Sequence, residues 1–62
     1  MYVARDKNGK LFIFKIKPVR MGDIWGCDEY SYVLDYDMFP NLKWEDEPLE
    51  VNLVAVPPKN IN

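Results

Sequence analysis

The 62-residue chain predicts an all-β fold: an antiparallel meander of four to five short strands, curled into an open sheet or a small barrel. Three observations carry this expectation. Asp6-Lys7-Asn8-Gly9-Lys10 reads as a turn with an apolar run on either side. Residues 30–36 alternate, with Tyr30, Tyr32, Leu34 and Tyr36 on one face and Ser31, Val33 and Asp35 on the other. No stretch has the 3.6-residue apolar period of a long amphipathic helix.

Two registers are open to the first hairpin. A two-residue turn on Asn8-Gly9 would set Lys7 opposite Lys10, which places like charges together. A three-residue loop, with Asp6 opening a type I turn and Gly9 in a left-handed bulge, sets Asp6 opposite Lys10. The second is preferred. It pairs Arg5 with Leu11, Ala4 with Phe12, Val3 with Ile13 and Tyr2 with Phe14. One face then carries Tyr2, Ala4, Phe12, Phe14 and Ile16 and is expected to be core. The other carries Val3, Arg5, Leu11, Ile13, Lys15 and Lys17, and its aliphatic part calls for a cover from a later segment or a neighbouring subunit.

Lys17-Pro18 ends this hairpin, because proline has no N–H for a ladder. Residues 22–27 read as a short strand around Ile24 and Trp25, Asp28-Glu29 as a polar turn, and 30–36 as the next strand. Asp37-Met38-Phe39-Pro40 suggests one helical turn near 37–42, with Asp37 as its cap. Residues 43–48 form a charged connection, and 49–56 alternate at first, so they are expected to be a strand. Pro57-Pro58 stops it. The reading is a single domain over 1–56 with a frayed tail at 57–62.

A chain of this size buries only about 60% of its unfolded surface and usually needs reinforcement. Cys27 is the only cysteine, which excludes an internal disulfide, and with no histidine the usual zinc ligand sets are excluded too. That leaves the nine aromatic residues, or a partner chain, as support. The opening residues lack a secretory signal pattern and no apolar run approaches a membrane span, so a cytoplasmic protein is expected. Charge is lopsided. Residues 1–20 hold six basic side chains against Asp6 alone, and residues 21–62 hold two against nine carboxylates. Oppositely charged neighbouring strands account for this more simply than a bipolar docking surface does.

Tyr2-Val3-Ala4-Arg5-Asp6-Lys7-Asn8-Gly9, then Lys17-Pro18, Met38-Phe39-Pro40 and Trp44-Glu45-Asp46-Glu47-Pro48 resemble a group of short proteins encoded by gut Bacteroidales and by their phages and mobile elements. The similarity runs in order from residue 2 to about residue 53, the opening and the Trp-Glu-Asp-Glu-Pro segment being its specific parts. It implies a prokaryotic or phage cytoplasmic origin. It carries no assigned activity, so it transfers no catalytic residue.

Chemistry-bearing patterns are sparse. Glu45-Asp46-Glu47, with Asp35 and Asp37 upstream, lacks the alternating carboxylate loop of a calcium site and reads as solvated loop charge. The same carboxylates have no histidine or recognisable nucleophile beside them for acid–base work. Arg5, Lys15 and Lys17 interleaved with Phe12 and Phe14 invite comparison with nucleic-acid-binding small barrels. In the preferred register, though, rings and cations face opposite ways, and the chain is acidic overall. Trp44, among charges, is either a lid folded over the sheet or an exposed anchor for a partner. Exposed edge strands offer a further way to bind a chain, by strand addition. The expected function is therefore a non-enzymatic protein-interaction module, with self-association as one form of it. The nucleic-acid-binding barrel is the alternative. The candidate interface is Val3, Arg5, Leu11, Ile13, Lys15 and Trp44, with no metal, cofactor or membrane involved.

Overall fold

The computed structural model describes residues 1–54. Six strands appear in order: β1 (Tyr2–Arg5), β2 (Leu11–Phe14), β3 (Val19–Met21), β4 (Ile24–Gly26), β5 (Ser31–Leu34) and β6 (Leu49–Glu50). They form a four-stranded antiparallel sheet in the order β5-β2-β1-β6 and a separate β3–β4 hairpin. The all-β, antiparallel expectation holds, and the sheet is open. Its order is not a simple meander: β5 returns to the free side of β2, and β6 crosses to the far side of β1.

The first hairpin has the predicted register, Arg5–Leu11, Ala4–Phe12, Val3–Ile13 and Tyr2–Phe14. The Gly9 N–H donates to the Asp6 carbonyl at 2.9 Å, and the Asp6 N–H donates to the Lys10 carbonyl at 2.8 Å. Gly9 has φ 93°, the left-handed value its place in the bulge requires. A Cβ there would meet nothing within 4 Å, so Gly9→Ala carries a backbone cost alone. It should lower stability by about 1–2 kcal/mol, read as a shift in urea midpoint with an unchanged slope.

Both faces of the β1–β2 hairpin are buried, and of the two covers expected for the second face it is a later segment of the chain that supplies it. Val3, Leu11 and Ile13 pack with Met1, Leu34, Phe39, Leu42 and Val51. Ala4, Phe14 and Trp25 pack on the opposite face with Tyr2, Phe12, Cys27 and Trp44. The chain's own later segments supply the cover, so the central hairpin sits between two small apolar layers. Ile16, expected in the core, is 44% exposed because β2 ends at Phe14 and the chain bends away before Pro18.

Three local expectations change. Val19–Met21 forms a strand that pairs with Ile24–Gly26 across Gly22-Asp23. Gly22 has φ 66°, the conformation a two-residue hairpin demands at its first central position. The helical turn near 37–42 is absent; in its place are two turns, Met38 N–H to the Asp35 carbonyl at 3.0 Å and Leu42 N–H to the Phe39 carbonyl at 2.9 Å. Phe39 precedes Pro40, whose ring disfavours the right-handed helical region for it, and it adopts φ 50°. Finally, the last strand is two residues long where alternation suggested eight. Residues 55 and 56 of that prediction and the tail at 57–62 lie outside the described residues.

Candidate functional site

The predicted interface residues do not form a surface. Val3 and Leu11 are 0% exposed and Ile13 is 9% exposed. Their aliphatic stripe is filled by Phe39, Leu42 and Val51 of the same chain, so these three leave the candidate interface. Trp44 is half-buried and meets Trp25 edge to face with ring centroids 5.8 Å apart, the lid arrangement rather than the anchor. Lys15 is exposed, with its Nζ 3.9 Å from Glu29 Oε1.

Arg5 proves to be a structural hub. Its Nε–H donates to the Leu42 carbonyl at 2.6 Å, Nη1 to the Gly9 and Tyr36 carbonyls at 2.8 and 2.9 Å, and Nη2 to the Met38 and Phe39 carbonyls at 3.0 and 3.1 Å. Every guanidinium N–H is thereby occupied by main chain of this molecule, which removes Arg5 as a docking or phosphate-binding residue. The planar fork gathers residues 36–42 over the Val3 face and holds Phe39 in its left-handed conformation, which opposes a strain cost of about 1–3 kcal/mol.

The β3–β4 hairpin is pinned on the opposite face by polar contacts with the first turn. Asp6 Oδ1 accepts the Trp25 N–H at 2.9 Å, and the Lys7 N–H donates to the Asp23 carbonyl at 3.1 Å. Because β6 stops beside Val3, the Arg5 carbonyl lacks a ladder partner, and Trp25 Nε1–H donates to it at 2.9 Å. Arg20 closes the arrangement, its guanidinium carbon 4.6 Å from the Trp25 ring centroid and 4.4 Å from that of Trp44. The two tryptophans and Arg20 are thus spent on holding the β3–β4 hairpin and the 43–48 connection together. Phe14 is buried and Phe12 half-buried in the same layer. The phenyl rings on which the stacking idea relied are therefore largely covered.

The acidic segment is local structure too: Asp46 Oδ2 accepts the Lys43 N–H at 2.8 Å. Among the described residues, no three histidine, cysteine or acidic side chains come together as a metal site. Cys27, half-buried, points its thiol at the Glu29 carbonyl at 3.4 Å. No helix among the described residues is long and apolar enough to cross a membrane.

What stands open is the outer side of β5. In an antiparallel ladder the residues of one strand send their N–H and C=O groups alternately to either side. Asp6 bonds Lys10, so Ala4 bonds Phe12, and the main-chain groups of Leu11 and Ile13 turn toward Leu34 and Tyr32 of β5. Ser31 and Val33 therefore direct their main-chain groups away from the sheet. β5 is the terminal strand, with no neighbour beyond it among the described residues. The exposed side chains along it are Tyr30 at 79%, Tyr32 at 64%, Val33 at 66% and Tyr36 at 76%. Beside it lies a shallow groove of about 630 Å³, lined by Gly9, Phe12, Val33, Asp35 and Tyr36 among others.

The sequence expectation named strand edges in general and missed this one. The signal was present: residues 30–34, Tyr-Ser-Tyr-Val-Leu, are uncharged, β-prone and free of Gly and Pro. Alternation sorts Tyr30, Tyr32, Leu34 and Tyr36 onto one face without showing which way it turns: the three tyrosines are exposed and Leu34 packs against the core. Comparison with protein-family models, with curated proteins and with solved structures finds no match for this chain.

Proposed function

We propose that the protein is a non-enzymatic interaction module that binds an extended segment of another protein by adding it as a strand alongside β5. The observation that supports it is the outward main chain of Ser31 and Val33, in an uncharged edge strand that natural sheets usually protect. Main-chain bonds would supply affinity, and side-chain contacts in the groove beside the strand would supply selectivity. Exposed tyrosines suit this role, since they contribute contact area and a hydroxyl at little entropic cost. A cytoplasmic setting is part of the proposal, in keeping with a single unpaired cysteine. One of the two sequence-based motives for self-association, an uncovered second face, is removed, because Leu34, Phe39, Leu42 and Val51 pack on that face; the small core is the other.

Selection of a displayed heptapeptide library against the chain, followed by NMR shift mapping, tests the proposal. Selected peptides should perturb the amides of residues 31–34 and lose binding on N-methylation of alternate residues only. Val33→Pro should abolish binding while leaving the β2 ladder intact, because the N–H it removes faces outward. Binding that survives Val33→Pro, or shifts centred on Lys15 and Lys17 with a single-stranded oligonucleotide, would replace this reading.

A further inference from the structure

We infer that the strand β5 accepts is basic at both ends: three or four uncharged residues flanked by Lys or Arg. This rests on the strand-addition reading and goes beyond it, to the chemistry of the partner. Asp28 and Glu29 precede β5 with Tyr30 between, and Asp35 and Asp37 follow it, all four exposed. The open strand is thus bracketed by carboxylates. One nearby cation, Lys15, already faces Glu29 from within the chain, and Lys10 lies on the groove beside Asp35. An incoming strand, antiparallel or parallel, must run its two flanks past these acids.

The same charges weigh against a second copy as the occupant. An antiparallel pairing that uses both outward residues sets Ser31 against Val33 of the other copy and Tyr32 against Tyr32. Counting outward in that register, Glu29 falls opposite Asp35 at each end. Directly opposed like charges destabilise a pair of strands, and charged side chains are one means by which sheet edges resist edge-to-edge association. A strand with Lys or Arg flanks turns both clashes into opposite-charge pairs. Its central β-branched side chains would lie over Val33 and Phe12, in the groove behind the first turn.

Three fluorescently labelled peptides decide the matter. They share a Thr-Val-Thr-Val centre and carry Lys-Arg, Gln-Ser or Glu-Asp flanks. Polarisation titrations with the whole chain should show the basic peptide binding about tenfold tighter than the neutral one, an advantage that shrinks at high salt. In the double variant Glu29→Lys with Asp35→Lys, preference should invert toward the acidic peptide. The inference falls if the basic and neutral peptides bind alike to a chain whose binding Val33→Pro abolishes; strand addition then stands without it. If no peptide binds, or if Val33→Pro leaves binding unchanged, the strand-addition reading itself falls. A dimer seen by light scattering and lost in Val33→Pro would overturn the inference in favour of a second copy.

Discussion

Arg5→Ala should lower folding stability by about 3–5 kcal/mol, the largest effect of any polar substitution in this chain. Five main-chain carbonyls lose a charged donor at once, and charge-assisted hydrogen bonds contribute about 1.5–3 kcal/mol each before water compensates at the exposed ones. Total stability for 62 residues is on the order of 3–9 kcal/mol, so the variant should be partly unfolded at room temperature. Urea titration followed by tryptophan fluorescence measures it. Arg5→Lys should recover less than half of the loss, since an ammonium offers three donors without the planar fork. Hydrogen exchange should show where the damage begins. The Met38 and Leu42 amides, which close the two turns under Arg5, should lose protection before the β1–β2 ladder does. Full stability in Arg5→Lys would mean that positive charge alone, and not the fork, organises residues 36–42.

Asp6→Ala should cost about 2–3 kcal/mol, and Asp6→Asn markedly less. The Trp25 N–H to which Asp6 Oδ1 is bonded is buried, and alanine would leave it without a partner. Asparagine keeps a carbonyl oxygen at the same place and remains a good residue for opening the turn. The consequence reaches beyond the turn. With Asp6 gone, the β3–β4 hairpin is left with the Lys7–Asp23, Trp25–Arg5 and Arg20–Asp46 bonds and with the packing of its Trp25 and Arg20 against Trp44. Near-ultraviolet circular dichroism of the tryptophan pair should therefore weaken in Asp6→Ala before global unfolding. An unchanged signal would show that stacking alone seats the hairpin.

Local signals were legible wherever neighbouring residues decide the outcome. Asp6 and Gly9 specify one turn geometry, and the turn sets four cross-strand pairs without help from the rest of the chain. Gly22-Asp23 carries an equally good hairpin signal, but the strand expected over 22–27 placed Gly22 inside a strand rather than in the turn that precedes it. The helical turn failed for a local reason as well: Phe39 sits before Pro40. The candidate site was less legible. Arg5 looked like a surface cation because its strand neighbours mixed charge with aliphatic side chains. Nothing in a linear pattern shows that residues 36–42, over thirty positions away, bring four carbonyls to it beside that of Gly9.

The same contrast separates what the chain determines by itself from what its folding decides. By itself the sequence sets the all-β class, the first hairpin and its register, because turn chemistry and alternation act over a few residues. Which face of that hairpin is buried required the tertiary structure. Both faces carry enough apolar surface to be covered, and only the paths of residues 34–51 and of the β3–β4 hairpin show that both are. That outcome removes Val3, Leu11 and Ile13 from the surface and leaves, among the described residues, the outer side of β5 as the longer open edge of the sheet. Strand order, not side-chain pattern, determines which edge a sheet leaves without a neighbour.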